Sequence, residues 1–288
     1  MDVSLGVLLA FLSAVLWACS DFIIARLIKK GESPEKVFFY SQLIGTIALA
    51  IVYFAFFSNP ANLTQDLVLM LLLAGFLNVI SYLLFYKGIQ VGNLSIISPI
   101  SSCWVVVTVV LGMLFLNEQV SLLEGLGIMI CIAGILLTSF KFRDLIIAKF
   151  MNPYNGANFA VMAALSWGIL FVFIGILNSQ LGWFLPILII RAASLVFASI
   201  YMGAAKKGIS LSISLVPALL FIAVFDAFAF VAYSLAISSS YTVMVAPVAA
   251  TYPLIVILLA RVFLKEKLGI SQKIGIGLAL LGVFLLLS

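Results

Sequence analysis

The sequence predicts an all-α, polytopic membrane protein with ten transmembrane helices, built from two inverted five-helix repeats. Three observations carry this. Hydrophobic residues make up 65% of the chain and charged residues 9%, and the apolar residues fall into long runs. Nearly all the basic residues lie in alternate gaps between those runs. The second half of the chain repeats residues of the first half in order.

A run of about 20 apolar residues is long enough to cross a bilayer. Ten such runs follow one another: Leu5–Ile28, Phe38–Phe57, Leu67–Tyr86, Leu94–Leu116, Leu122–Phe140, Phe159–Leu177, Trp183–Gly203, Leu215–Ile237, Val243–Leu264 and Ile270–Leu287. The first gap holds Arg26, Lys29, Lys30 and Lys36. The third holds Lys87, and the fifth Lys141, Arg143 and Lys149. Lys206 and Lys207 follow in the seventh, and Arg261, Lys265, Lys267 and Lys273 flank the ninth. The even gaps and both ends carry no Lys or Arg. Basic loops stay in the cytoplasm. The expected protein therefore sits in the cytoplasmic membrane with both termini on the outer side.

Ten spans nearly use up 288 residues and leave no room for a soluble catalytic domain. The net charge of +5 does not point to nucleic acid, because the basic residues sit at helix ends. There they set topology and meet anionic lipid headgroups. The first run is too long for a signal-peptide core and lacks a basic segment before it, so it is expected to remain as a span. Cys19, Cys103 and Cys131 all lie inside spans, as small buried apolar residues do. No Gly-rich loop ends in Gly-Lys-Ser/Thr, no cluster has metal-ligand spacing, and His is absent. Neither a cofactor nor a metal is expected.

Shifting the sequence by 148 positions brings Pro99 onto Pro247, and Phe115, Leu116 and Glu118 onto Phe263, Leu264 and Glu266. Gly127, Ile128 and Gly134 fall on Gly275, Ile276 and Gly282. In the first spans Trp17 meets Trp167 at a shift of 150. The units are 1–140 and 141–288. Each holds five spans, an odd number, so the second must lie upside down relative to the first. Inverted repeats are a common transporter architecture, with the ligand site near the midplane where the copies meet.

The duplicated pattern is Pro, an apolar helix, Glu at a tight turn, then Gly-x6-Gly: Pro99, Glu118, Gly127, Gly134 and Pro247, Glu266, Gly275, Gly282. This resembles the EamA family of the drug/metabolite transporter superfamily over nearly the whole chain. One departure stands out. Gln272 sits three residues before Gly275, as the family favours, but the first copy has Glu124 there. The resemblance implies export or exchange of amino acids and related small metabolites through a central cavity lined by both halves. The alternatives are a phosphate-ester or nucleotide-sugar exchanger of the same superfamily and, further off, a lipid-acting membrane enzyme. The chain is expected to act as a transporter and not as an enzyme. Its partners would be a small-molecule substrate and membrane lipid, with a monomer expected and a dimer as the alternative.

Ionisable groups inside a bilayer are costly and are usually paired or functional. Arg191, in the seventh span, is a planar fork of donors that suits a carboxylate or phosphate. It could bind an acidic cargo, or pair internally with Asp226 or Asp21. Asp226 lies mid-way along the eighth span and Asn78 takes the matching place in the third. Either Asp could serve proton coupling by alternating its exposure. Asn78, Tyr82 and Tyr86 share one helical face, as do Asp226, Phe230 and Ser234. Trp17 with Asp21, and Trp167 with Phe171, make similar pairs. The expected substrate-binding set is Trp17, Asp21, Asn78, Tyr82, Trp167, Arg191, Asp226 and Phe230. For each of them the competing reading is ordinary helix packing. Pro99 and Pro247 each remove a backbone donor and kink a span, and are expected to act as gate hinges. The four repeat glycines are expected to pack helices closely. Glu118 and Glu266 fall at turns, where capping is expected.

Overall fold

A computed structural model describes residues 3–57, 63–139, 156–206, 208, 210–264 and 269–287. They form twelve α-helices: α1 Val3–Lys29, α2 Pro34–Phe56, α3 Gln65–Val91, α4 Leu94–Ser101, α5 Trp104–Phe115 and α6 Leu122–Ser139 in the first half. In the second half lie α7 Ala157–Leu181, α8 Leu185–Ala204, α9 Val216–Ser239, α10 Thr242–Ala249, α11 Tyr252–Leu264 and α12 Ile270–Leu287. A short 3-10 turn, Ile213–Leu215, leads into α9.

Eight segments are long and apolar enough to cross a membrane, counting α4 with α5 and α10 with α11 as one segment each. The other two apolar helices, α6 and α12, are shorter, at Leu122–Thr138 and Ile270–Leu286. Large apolar side chains such as Ile51, Leu69, Val110, Met129, Ile200 and Phe284 are exposed on the outside of the bundle. That suits a surface solvated by lipid, where backbone groups must be satisfied within each helix. The fourth and ninth runs do not continue unbroken. Each is interrupted just beyond its proline, at Ser102–Cys103 and at Ala250–Thr251. Pro99 and Pro247 themselves lie inside the short helices α4 and α10.

The ends of the helices follow local chemistry. Pro34 opens α2 at a position where its missing N–H has no partner to lose. At the start of α6 the Glu124 carboxylate accepts from the Ser121 N–H at 2.6 Å, and the Ser121 hydroxyl accepts from the Glu124 N–H at 3.3 Å. This is a capping box. At the start of α12 the Gln272 side-chain oxygen accepts from the Gly269 N–H at 3.0 Å, the same bond in the second copy. The Glu/Gln departure is thereby explained, since the position needs an acceptor oxygen and either residue supplies one.

Glu118, after α5, reaches across to the other half. Its two carboxylate oxygens accept the N–H groups of Thr242 and Val243, each at 2.8 Å, in the first turn of α10. These donors have no partner within their own helix, and the negative charge meets the positive end of the helix dipole. Glu118→Ala is expected to cost about 1–2 kcal/mol, and Glu118→Gln less, read as the shift in thermal unfolding in detergent. Glu266, the matching residue, lies outside the described residues.

Helix packing crosses between the halves. α1 packs on α9 and α3 on α7. α2 packs on α9 and α3 on α8. α4 and α5 pack on α7, as α10 and α11 pack on α1, while α2 meets α8 and α6 meets α12. Exchanging the halves turns this set of pairings into itself. The buried core therefore lies between the two units.

Candidate functional site

Eight side chains line a small cavity between the halves: Trp17, Asp21, Tyr82, Trp104, Trp167, Phe171, Phe230 and Tyr252. Their positions in the two copies show how the fold makes it. Trp17 and Asp21 on α1 correspond to Trp167 and Phe171 on α7 at the shift of 150. Tyr82 on α3 corresponds to Phe230 on α9, and Trp104 to Tyr252, at the shift of 148. The lining is thus four repeat-equivalent pairs. Helical spacing puts residues four apart on one face, which is how α1 and α7 each supply two. Trp104 and Tyr252 are the first residues after the two helix interruptions, so the breaks aim them inward.

The rings are close-packed. Trp17 lies edge-on to Phe230 at 5.2 Å and Tyr82 edge-on to Trp167 at 5.2 Å, between ring centres. Trp104 meets Phe171 at 4.2 Å, and Phe171 meets Trp17 at 5.7 Å. The space left is little more than a water molecule needs. The Tyr252 hydroxyl donates to the Ser98 carbonyl at 3.2 Å and lies 3.0 Å from the Ser101 hydroxyl. It thereby ties α11 to α4, one interrupted helix to the other.

Behind the rings sits an ion pair. Arg191 Nη1 on α8 lies 2.7 Å from an Asp226 oxygen on α9. The Tyr82 hydroxyl donates to the second Asp226 oxygen. All three are buried, with Arg191 1% and Asp226 4% exposed. Taking such a pair out of water costs desolvation, which the short Arg191–Asp226 contact and the Tyr82 bond offset. Gly45 makes room for it, because a Cβ there would stand 2.5 Å from Arg191 Nη2 and 3.1 Å from the Ala223 carbonyl. Arg191 Nε and Nη2 make no hydrogen bond among the described residues. Asn78 donates to the Ser194 hydroxyl at 2.9 Å, joining α3 to α8.

Of the eight residues expected from the sequence, Trp17, Asp21, Tyr82, Trp167 and Phe230 line the cavity. Arg191 and Asp226 stand behind Tyr82 and belong to the ion pair, and Asn78 belongs to the helix contact beside it. The open choice of partner for Arg191 resolves to Asp226. Asp21 has no hydrogen bond or ion pair among the described residues. Trp104, Phe171 and Tyr252 complete the lining and were not in the expected set. The repeat register was the available signal, since Trp104 and Tyr252 each follow the repeat proline by five positions. The indole N–H groups of Trp17 and Trp167, a matched pair, are buried without acceptors among the described residues.

Comparison with known proteins agrees with this layout. The sequence profile of the EamA-like transporter family matches residues 4–140 and again 155–288. An uncharacterised protein of Methanocaldococcus jannaschii is 29% identical over 136 residues, which are 47% of this chain and 97% of that protein. An uncharacterised transporter of Sinorhizobium, encoded in the cobO 3' region, is 26% identical over 104 residues, 34% of this chain and 74% of its own length. A solved crystal structure shares the fold with a TM-score of 0.77 at 13% identity, covering 98% of both chains.

Proposed function

The chain belongs to the EamA-like transporter family, within the drug/metabolite transporter superfamily, and from that premise we propose a secondary transporter of small amphipathic metabolites, amino acids and related amines first among them. The observation that carries the reading is the cavity made of four repeat-equivalent pairs. A site shared equally by two like units is where alternating access would act. If one unit can take two tilts, exchanging them closes the cavity to one side and opens it to the other. The packing that maps onto itself when the halves are exchanged supports the inverted repeat, with units 1–140 and 141–288 and ten crossings. Both termini would face outward in the cytoplasmic membrane. A monomer is sufficient, since one chain supplies both sides of the cavity.

The interrupted helices supply the hinges. α4–α5 and α10–α11 bend beside Pro99 and Pro247, and the Tyr252 hydroxyl couples the two bends. The lining supports an amphipathic cargo, with rings for an apolar body, Asp21 for an amine, and two unpartnered indole donors for an acceptor oxygen. A phosphate ester would need several free cations, and Arg191 is held by Asp226. The test is counterflow into proteoliposomes preloaded with unlabelled solute, using labelled aromatic and aliphatic amino acids and amines. Saturable uptake stimulated from the far side is expected. Uptake equal to that of empty liposomes for every solute ends the proposal.

A further inference from the structure

We propose that the cavity selects the positive end of its cargo: Asp21 is the counter-ion for an organic ammonium group, and the rings around it form its cage. The inference rests on the transport reading and narrows its cargo from amino acids to amines and amino-acid derivatives whose acid is masked. Three of the four lining pairs keep an aromatic residue in both copies. The fourth differs, placing Phe171 in one copy and the Asp21 carboxylate in the other. Asp21 is 7% exposed and is without an ion pair or hydrogen bond among the described residues. Its charge is not cancelled from behind, because Arg191 is already engaged by Asp226. With Asp21 ionised, Asp21, Asp226 and Arg191 together leave one formal negative charge inside the bundle. Burying such a charge without a partner is costly. A cargo with a single positive charge removes that cost; a zwitterion leaves it, and an anion doubles it.

The surroundings favour a carbon-substituted ammonium over a small inorganic ion. Rings attract cations through their faces, tryptophan most strongly, and Trp17, Trp104 and Trp167 all line this space. The free indole N–H groups of Trp17 and Trp167 are neutral donors. They can hold a carbonyl or ether oxygen and do not require a free acid. Among amine-bearing cargo, the site therefore favours molecules whose acid is masked or missing.

Three ligands with the same side chain test this on the full chain purified in detergent, at a pH below the pKa of the ester's amine: phenylalanine methyl ester (a cation), phenylalanine (a zwitterion) and N-acetylphenylalanine (an anion). By calorimetry the ester is expected to bind at least tenfold tighter than phenylalanine, with the N-acetyl compound weaker still. Asp21→Asn should remove the preference for the ester and Asp21→Glu should keep it. The charge series on the unaltered protein stands even if Asp21→Asn fails to fold. Equal or tighter binding of N-acetylphenylalanine, or an ester preference that survives Asp21→Asn, overturns the assignment. Counterflow of the same three compounds separates the two levels. Flux of phenylalanine without preference for the ester sinks the ammonium site and keeps the transporter. Tight ester binding with no flux of any compound keeps the site and sinks the transporter.

Discussion

Arg191→Ala is expected to destabilise the protein by about 3–5 kcal/mol, the cost of stranding one member of a buried ion pair. The residue left behind is Asp226, 4% exposed, with the Tyr82 hydroxyl as its remaining donor. One neutral donor cannot replace a guanidinium for a carboxylate held away from water. Asp226→Ala should cost a similar amount, because it strands Arg191, whose Nε and Nη2 already make no hydrogen bond among the described residues. Replacing both together with apolar residues of similar size, Arg191→Met with Asp226→Leu, should recover most of the loss, since no charge is then buried alone. The measurement is a double-mutant cycle on thermal unfolding in detergent, where a coupling of several kcal/mol is expected. If Arg191→Ala unfolds within about 1 kcal/mol of the parent yet transports nothing, the guanidinium serves the cargo and not the fold.

The same pair shows what the sequence can and cannot tell. That Arg191 must be satisfied followed from its place in an apolar run. That Asp226 rather than Asp21 satisfies it did not follow, because the rotation of α8 against α1 and α9 is a tertiary choice. The ten apolar runs were legible because hydropathy alone writes them, and helices formed along all of them. The breaks in the fourth and ninth runs lay a few residues past where the prolines suggested. A proline disturbs the turn before it, while the point where the chain gives way depends on what packs around it. Among the site residues, helical spacing put Trp17 with Asp21, and both line the cavity. It could not tell that Tyr82 would reach the cavity while Asn78, one turn earlier, would reach Ser194 instead. Trp104 and Tyr252 were recoverable only by carrying the repeat register through to aromatic positions as well as to proline and glycine.

The four repeat glycines lead to the second large effect. α6 and α12 meet along them with backbone against backbone. A Cβ on Gly134 would stand 2.3 Å from the Ala279 nitrogen and 2.7 Å from the Gly275 carbonyl. One on Gly282 would stand 2.4 Å from the Cys131 nitrogen and 2.6 Å from the Gly127 carbonyl. Those neighbours are main chain and cannot turn aside, so the helices must separate. Close approach is what holds apolar helices together where lipid offers no hydrophobic gain. Gly134→Val and Gly282→Val are each expected to destabilise by about 3 kcal/mol or more, at or above the upper end for an overfilled core. The same change at Gly125 on α6 and Gly277 on α12, where a Cβ meets nothing within 4 Å, should leave unfolding nearly unchanged. These controls cancel the difference in helix propensity between Gly and Val. Gly134→Val combined with Gly282→Val should cost less than the sum, because the first substitution already parts the surface that the second would disturb. Equal shifts at all four positions would mean that the glycines matter for backbone freedom, and not for the contact between the last helices of the two units.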